Sequence, residues 1–292
     1  MSMPPPYGSA PAGPPPVCPR HPDLVSYVSC QRCGRPACPA CQRPAAVGVQ
    51  CVDCVAQAHR GTRQAVTVSG AAWRSHAPVA TYVVIALCLF GYALQRLIPG
   101  FSESFLAWNV LTREQPWRLL TAGFLHDTST VLPMHLALNM LSFWFLGRAL
   151  EPVLGHWRLA SVFLVGVVGG SAAQVILTSP FSSGWGASGG VFALGGALLV
   201  QLRHDRAQLT SLAVVLGINL VYGFTLGSGI SWQAHVGGLV TGVILGFLYA
   251  AGARLSSRAT LHVVGTLVLA ALLVATGMAL DDIDVPVRFG LG

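Results

Sequence analysis

Polar side chains that can perform acyl-transfer chemistry lie inside the apolar stretches of this 292-residue chain. Ser188 is flanked by glycines in GASGG, His235 lies in AHVGG, and His135 and Asn139 are four residues apart in MHLALNM. A polar group inside a bilayer is costly, so each of these residues needs a structural or chemical reason. A serine hydroxyl becomes a nucleophile when a base takes its proton, and histidine is the usual base. We therefore expect Ser188 and His235 to form a catalytic dyad.

The residues around Ser188 favour this chemistry. Gly186 and Gly189 allow a tight turn and close backbone approach at the start of an apolar helix. Backbone N–H groups at a helix start bind negative charge, such as the oxygen of an attacked carbonyl group. His135 and Asn139 share one helix face and can donate to the same oxyanion. The predicted oxyanion support is therefore His135, Asn139, Gly186 and Gly189.

Each of these residues also has a purely structural interpretation. A membrane-buried serine usually packs or bonds to the preceding turn, and a lone histidine or asparagine can simply join two helices. A catalytic site is favoured because polar groups from three apolar segments share one depth. The G-x-S-x-G pattern at Ser188 does not indicate an α/β-hydrolase, since the strand–turn–helix context of that motif is absent.

The composition is that of a membrane protein, with 53% hydrophobic and 9% charged residues. Seven apolar segments are each close to the roughly 20 residues that cross a bilayer as a helix. They cover approximately residues 78–98, 133–151, 157–178, 188–203, 208–226, 232–252 and 260–280. The fourth segment is short, which fits a helix that begins below the membrane surface in a protein-lined cavity. We predict an all-α polytopic membrane fold.

The charge pattern predicts the orientation of the chain. All 17 basic residues are arginine, and the net charge is +7. The arginines lie mostly at alternate ends of the apolar segments, as the positive-inside rule requires, and their scatter argues against nucleic-acid binding. The N terminus is expected in the cytoplasm and the C terminus outside, with the long loop 99–132 as an exception. The first 17 residues lack the apolar core of a signal peptide.

Seven of the eight cysteines lie between residues 18 and 54 and form, with one histidine, four pairs separated by two residues. The pairs are Cys18–His21, Cys30–Cys33, Cys38–Cys41 and Cys51–Cys54. Disulfides are disfavoured in a reducing compartment, and eight ligands suit two tetrahedral zinc ions. A redox-active cysteine tail is the alternative. Sites closed by four protein ligands have no position for water, so we expect structural zinc and no cofactor in catalysis.

The cysteine segment resembles B-box-like and other small treble-clef or cross-brace zinc fingers. Such modules usually serve in interactions, so the resemblance implies a cytoplasmic protein partner. A cross-braced pairing would join Cys18 and His21 with Cys38 and Cys41, and Cys30 and Cys33 with Cys51 and Cys54. The sequence does not exclude a sequential pairing, and His59 is an alternative to one of the eight ligands.

These features divide the chain into five parts. A Pro-rich tail over residues 1–17, expected to be disordered, precedes the zinc module at 18–59 and a linker at 60–76. A transmembrane domain of seven helices follows over residues 77–280, and a short outer tail covers residues 281–292. A cluster of cysteines with little apolar sequence around it cannot build a hydrophobic core, so metal is expected to stabilise the module.

Four motifs occur in the order PWRLLTAGFLH, HLALNM, GASG and AHVGGLVTG. Over about residues 78–255, this order resembles the rhomboid family of intramembrane serine proteases. The resemblance implies a Ser188–His235 dyad assisted by His135 and Asn139. It also implies six core helices plus one C-terminal helix, and it implies transmembrane protein substrates cleaved near the outer membrane face.

Further residues take their expected roles from the same resemblance. Trp117 and Arg118 correspond to the WR pair of a first loop that dips into the membrane, and Glu151 corresponds to a structural acidic residue. Two features depart from the family. His126 and His135 are nine positions apart, about four more than usual, which puts a role for His126 in doubt. Phe192 stands where the family often has a tyrosine stacked on the base histidine.

Two other functions compete with proteolysis. A catalytically silent rhomboid-like scaffold would bind membrane clients without cleaving them, and the presence of both dyad residues argues against it. A transporter or channel would be expected to show internal repeats and charged groups at mid-depth, and neither is evident in the sequence. Membrane lipid and transmembrane proteins are the expected partners of the apolar domain.

Overall fold

The computed structural model of the chain describes residues 13–61, 77–129, 131–225, 231–251 and 257–279. The chain forms two compact units, residues 1–64 and 65–292. Most of the predicted tail at 1–17, most of the linker at 60–76 and the whole outer tail at 281–292 lie outside the described residues.

The N-terminal unit is a small β-rich module closed by one helix. Strands β1 (Val17–Cys18) and β2 (His21–Val25) pair antiparallel, as do β3 (Gln42–Pro44) and β4 (Val49–Cys51), and α1 (Val52–Gly61) follows. Its buried cluster consists of six cysteines and Ala37. The core of this unit is therefore sulfur rather than hydrocarbon, which agrees with the prediction of a metal-stabilised module.

The second unit is helical, which confirms the predicted fold class of a helical membrane protein. Its helices are α2 (Val79–Leu97), α3 (Phe101–Phe105), α4 (Arg118–Thr121), α5 (Met134–Leu154), α6 (His156–Leu177), α7 (Ser188–Gln201), α8 (Arg206–Thr225), α9 (Trp232–Ala250) and α10 (Arg258–Ala279). Each predicted apolar segment coincides with one long helix of the described residues. In the described parts of the chain, α2, α6, α9 and α10 are long and apolar enough to cross a membrane. That all seven cross it stays a prediction.

The loop between α2 and α5 contains structure that the apolar pattern did not predict. The helices α3 and α4 lie in it, and its strand β5 (Ala107–Trp108) pairs antiparallel with β6 (Ser183–Gly184) from the connection between α6 and α7. Paired strands satisfy main-chain N–H and C=O groups that would be costly to bury without partners. The pairing also ties this loop to the segment four residues before Ser188.

Glycines allow α7 to approach its neighbours α6 and α9 closely. A Cβ atom at Gly238 would lie 2.0 Å from the carbonyl oxygen of Gly189, and one at Gly242 would lie 1.9 Å from that of Ala193. On the other side, a Cβ atom at Gly166 would lie 2.2 Å from the side chain of Ala193. Backbones at such distances leave no room for a side chain, so α7 is enclosed by protein. This enclosure explains why a 14-residue helix is sufficient there.

Glu151 joins the end of α5 to the start of α2. Its carboxylate accepts hydrogen bonds from the amides of Ala80 (2.7 Å) and Thr81 (2.9 Å) and from the Thr81 hydroxyl (2.6 Å). The ring of His156 forms a further contact with the same carboxylate. Glu151 is 3% exposed, so this buried charge is balanced by the first amides of α2 and by the positive end of its dipole. The structural role expected for Glu151 therefore has a physical basis in helix capping.

The seventh helix, α10, is attached through polar contacts as well as apolar packing. Buried Arg158 of α6 donates from Nε to Nδ1 of His262 at 3.1 Å, and the other ring nitrogen of His262 pairs with the carbonyl oxygen of Ala251 at 3.1 Å. Tyr249 and Thr266 form a hydroxyl pair at 2.8 Å between α9 and α10. These contacts explain how the additional helix is held against the other six.

Replacing Glu151 should loosen the junction of α2 and α5. Glu151→Ala removes a buried acceptor from two amides and one hydroxyl, so we expect the free energy of unfolding to fall by about 3 kcal/mol. The exposed carboxylate of Glu114 provides the matched control, Glu114→Ala. Thermal unfolding of the purified protein in detergent measures both changes. Equal unfolding temperatures for the two variants would contradict this role of Glu151.

Candidate active site and metal centre

Three helices bring their N-terminal ends together at the candidate active site. His135 is the second residue of α5, Ser188 is the first residue of α7, and His235 is the fourth residue of α9. These positions share one end of the helical unit because α5, α7 and α9 run in the same direction. The structure thus brings together polar groups that are up to 100 positions apart in the sequence.

Ser188 and His235 are neighbours across the contact between α7 and α9. Phe192, one turn after Ser188 on the same face of α7, stacks on the imidazole of His235 with ring centroids 4.3 Å apart and planes 13° apart. Nδ1 of His235 is buried without a hydrogen-bond partner in the described part of the chain. The stack fixes the plane of the imidazole, and among the described residues no side chain bonds to Nδ1. No direct Ser188–His235 hydrogen bond forms among the described residues, and such bonds often tighten only when substrate binds.

Gly186 contributes to the site because it has no side chain and adopts a positive φ. Its φ of 124° lies in a region that L side chains rarely adopt, and a Cβ atom there would lie 2.9 Å from Cε1 of His135. The amide of Gly186 donates to the carbonyl oxygen of Ala122 at 2.9 Å. Gly186 was predicted as oxyanion support, but its N–H is already engaged. Its contribution is therefore to admit the ring of His135 beside Ser188.

The ring of His135 is held in one tautomer. The amide of Asp127 donates to Nδ1 of His135 at 3.2 Å, so that nitrogen carries no proton and the neutral ring carries its proton on Nε2. The point where a Gly186 Cβ atom would stand is 3.2 Å from Nε2 of His135 and 3.7 Å from Oγ of Ser188. Nε2 of His135 and the Ser188 hydroxyl therefore both lie close to the same point beside Gly186.

Asn139 and His126 surround His135. The Asn139 side chain donates to the carbonyl oxygen of His135 at 2.8 Å, which steadies the first turn of α5. The ring of His126 is 5.4 Å from that of His135 and 1% exposed, and among the described residues both of its nitrogens lack partners. The longer spacing between the two histidines therefore does not move His126 away from the site.

Trp117 and Arg118 differ in exposure and in their contacts. Trp117 is half exposed, whereas Arg118 is buried. The guanidinium of Arg118 donates to the side chain of Gln115 at 2.6 Å and to the carbonyl oxygens of Glu103 and Leu106 at 2.8 and 2.9 Å. Arg118 thus holds the loop between α2 and α5 together, and that loop supplies the Ala122 carbonyl to Gly186.

The groups that position the site were largely invisible in the sequence. The carbonyl of Ala122 and the amide of Asp127 are main-chain groups, and no side-chain pattern indicates them. Gln95 contacts the main chain next to Asp127, and its position near the end of an apolar segment gave no signal of that contact.

The eight predicted metal ligands form two clusters in the N-terminal unit. Cys18, His21, Cys38 and Cys41 form the first, and Cys30, Cys33, Cys51 and Cys54 form the second, with ligand atoms within 4.8 Å of one another in each. This is the cross-braced grouping, and the sequential grouping is not found. His59 is exposed and belongs to neither cluster.

Distances within the clusters fit a tetrahedral metal. In the first cluster, Nδ1 of His21 lies 3.3 Å from the sulfur of Cys38, 3.4 Å from that of Cys41 and 3.9 Å from that of Cys18. A tetrahedral zinc ion would separate nitrogen and sulfur ligands by about 3.6 Å and two sulfurs by about 3.8 Å. In the second cluster, the sulfurs of Cys33 and Cys51 are 3.8 Å apart.

The electrostatics of the clusters also fit a cation. The pKa of the Cys18 thiol falls to about 6, chiefly because the Cys38 amide donates to its sulfur, although burial opposes the change. The pKa of Cys54 rises to about 12 because its hydrogen bond with Cys33 stabilises the protonated thiol and because the thiol is desolvated. Negative charge thus accumulates on some sulfurs and prevents ionisation of others. A central metal cation would allow all of them to ionise.

Comparisons with known proteins match the second unit. The family model of the rhomboid domain matches residues 113–252. The chain is 33% identical over 184 residues to Rhomboid protease GluP of Bacillus subtilis, covering 59% of this chain and 35% of the relative. It is 32% identical over 196 residues to Rhomboid protease GlpG of Serratia proteamaculans, covering 60% and 64%. It is 37% identical over 154 residues to RHOMBOID-like protein 2 of Arabidopsis thaliana, covering 49% and 45%. The chain spans between 35% and 64% of the length of these relatives.

Metal content should follow the two clusters. We expect two metal ions per purified chain, and about one after Cys41→Ser, because this change removes a ligand of the first cluster. Cys88→Ser is the control and should keep two ions, because Cys88 is buried in α2 outside both clusters. Elemental analysis measures the stoichiometry. A chelator should also expose the N-terminal unit to protease, since its buried cluster is made of ligands. Two ions retained by Cys41→Ser would contradict the grouping.

Gly186→Ala should lower the reactivity of the Ser188 hydroxyl, although the change adds only one methyl group. The new Cβ atom would meet the ring of His135 at 2.9 Å and would occupy a strained backbone conformation. Displacement of a donor by about 1 Å typically lowers reactivity by about 100-fold. The rate at which a fluorophosphonate labels Ser188 measures this loss. Gly217→Ala is the matched control, because a Cβ atom there meets nothing within 4 Å, and equal labelling of the two variants would contradict the expectation.

Proposed function

Since this chain carries a rhomboid domain, we propose that it is an intramembrane serine endopeptidase with Ser188 as nucleophile and His235 as base. The observation that carries the proposal is the arrangement around Ser188. Phe192, one turn after Ser188 on α7, stacks on the imidazole of His235 from α9. Nε2 of His135 and Oγ of Ser188 lie 3.2 and 3.7 Å from the same point, the position of a Gly186 Cβ atom. A nucleophile, a base and an opposing donor are the parts that acyl transfer requires.

The geometry supports a two-stage hydrolysis of a peptide bond. The Ser188 hydroxyl attacks the scissile carbonyl carbon and transfers its proton to His235, and the carbonyl oxygen becomes an oxyanion. When the tetrahedral intermediate collapses, the C–N bond breaks and the leaving nitrogen takes the proton from His235. Water then attacks the acyl-enzyme as His235 removes its proton, and a second collapse returns that proton to Ser188 and releases the carboxylic acid product.

The oxyanion would be bound by donors from two directions. On one side is Nε2–H of His135, and on the other are the amides of Ser188 and Gly189, which belong to the first turn of α7. The first amides of a helix have no carbonyl partner within the helix, and the positive end of its dipole lies behind them. Each well-placed donor typically contributes about 3 kcal/mol to transition-state stabilisation. Asn139 supports this arrangement through the carbonyl oxygen of His135.

The substrates that suit this site are transmembrane proteins with a helix that unwinds near the outer face of the membrane. A helix hides its carbonyl groups, so glycine and other helix-weakening residues would ease cleavage. Ser188 is half-buried, which fits a site that water enters from one end of the helical unit. We propose that α8 or the loop near 227–234 gates access for substrate. Residues 226–230 of that loop lie outside the described residues.

The orientation and the N-terminal unit complete the proposal. The arginine pattern supports a cytoplasmic N terminus and an outer C terminus, which would put the active site near the outer face. Zinc is the ion that best suits Cys₃His and Cys₄ ligand sets with tetrahedral distances. The zinc module would then face the cytoplasm and bind a protein partner there. A rhomboid-like scaffold that binds membrane clients without cleaving them is the competing function.

Cleavage of a single-pass substrate by the purified protein in liposomes tests the proposal. The wild type should cleave it, whereas Ser188→Ala and His235→Ala should lose at least about 1,000-fold in rate, because the nucleophile and its base act as a unit. Ser211→Ala is a matched control, since Ser211 is exposed on α8 and its hydroxyl donates to the carbonyl oxygen of Ala207 in the preceding turn of the same helix.

The outcomes separate the competing functions. Cleavage that is lost in both dyad variants and kept in Ser211→Ala supports the protease. Equal cleavage by all four proteins would identify a contaminating protease and contradict the proposal. Folded wild-type protein that binds several transmembrane substrates and cleaves none of them would favour the scaffold.

A further inference from the structure

We propose that Gln95 of α2 is a positioning residue that sets the tautomer of His135 through the main chain of residues 126 and 127. This inference rests on the proposed function, because it concerns the donor to the oxyanion of that reaction. Gln95 contacts neither Ser188 nor His235 and would act only through the backbone between α4 and α5. Its role is therefore distinct from that of the dyad.

The first step is a pair of hydrogen bonds between Gln95 and one residue. Nε2 of Gln95 donates to the carbonyl oxygen of His126 at 3.0 Å, and Oε1 of Gln95 accepts from the amide of His126 at 2.9 Å. The same Nε2 donates to the hydroxyl of Ser102 at 3.0 Å. An amide side chain that engages both main-chain groups of a residue fixes the position and the direction of that backbone. The peptide that follows, which carries the amide of Asp127, is fixed with it.

The second step is the hydrogen bond from that amide to His135. The amide of Asp127 donates to Nδ1 at 3.2 Å, which leaves the ring proton on Nε2, the nitrogen that lies near Gly186. If this contact were lost, the proton could reside on Nδ1 instead. Nε2 would then be an acceptor and would repel an oxyanion. A main-chain donor thus decides whether His135 can assist the reaction.

The hydrogen bonds of Gln95 to the main chain of His126 form a clamp on the loop between His126 and His135. The length of this loop explains why the clamp is needed. His126 and His135 are nine positions apart, so the connection to α5 does not itself determine where Asp127 lies. Among the described residues beyond Asp127, Arg96 donates to the carbonyl oxygen of Thr128 at 3.0 Å, the amide of Ser129 donates to the carboxylate of Asp127 at 2.8 Å, and Val131 is 95% exposed. Gln95 and Arg96, adjacent on α2, together hold the end of the loop that reaches the site.

A purely structural role for Gln95 makes different predictions. If the clamp only stabilised the loop, its loss would lower the unfolding temperature and leave the chemistry of folded molecules unchanged. If the clamp positions His135, the turnover number falls while substrate binding is kept, because an oxyanion donor acts in the transition state and not in the bound substrate. The His135 ring itself also reports the tautomer by nitrogen-15 NMR, since protonated and unprotonated ring nitrogens resonate far apart.

The experiment compares the wild type with Gln95→Met and Gln95→Glu in the full-length protein. Methionine has similar size and can form neither bond, whereas glutamate keeps an acceptor for the His126 amide and loses the donor to its carbonyl. Cleavage in liposomes gives kcat and KM, and nitrogen-15-labelled histidine gives the tautomer, with the His135 signals assigned by their loss in His135→Asn. Gln57→Met, at an exposed position of α1 in the other unit, is the matched control.

We expect kcat to fall at least about tenfold in Gln95→Met, with KM within about twofold of wild type. The fall in kcat should be smaller in Gln95→Glu. The His135 signals should lose the single Nε2-protonated pattern in the same order. Unchanged kcat and an unchanged tautomer in folded Gln95→Met, or in folded Gln95→Glu if the first variant does not fold, would overturn the inference. If the wild type cleaves nothing, the proposed function fails, and the tautomer of His135 in the Gln95 variants still decides whether the clamp exists.

Discussion

The close approach of α7 to α6 and α9 is the constraint on which the rest of the helical unit depends. Glycines at positions 166, 238 and 242 allow backbone to meet backbone or small side chains, so α7 is enclosed by protein rather than by lipid. Only such an enclosure permits a helix to begin with a half-buried serine, because the first amides of that helix need polar surroundings. The neighbouring helices separate α7 from the lipid.

The polar contacts of the unit follow the same logic. Glu151 accepts hydrogen bonds from the first amides of α2, the Ala122 carbonyl accepts one from the amide of Gly186, and β5 pairs with β6 beside the turn that precedes Ser188. In each case a main-chain group at the end of an element finds a partner from a distant part of the sequence. Where lipid offers no hydrogen bonds, these partners determine which arrangements of the loops are stable.

The sequence predicted the helices well because each apolar segment has a length that the bilayer sets. It also singled out polar residues for a site at Ser188, because such residues stand out against an apolar background, and that site stays a prediction. It did not predict how they are oriented. The tautomer of His135 depends on the Asp127 amide, and Gly186 depends on a carbonyl 64 residues earlier, so neither leaves a local pattern. The choice between cross-braced and sequential cysteine pairs was likewise open, because both satisfy the same spacing.

The stacked rings of Phe192 and His235 have a consequence for motion. A histidine that is anchored by a hydrogen bond at its far nitrogen must bend that bond whenever the ring shifts. A ring held face to face against another ring can slide within its plane at low cost, because parallel stacks have broad minima and contribute only about 1 kcal/mol. Such a ring can follow a proton from one oxygen to a nitrogen a short distance away. Phe192 would then fix the plane of the His235 imidazole and still allow the ring to shift within that plane.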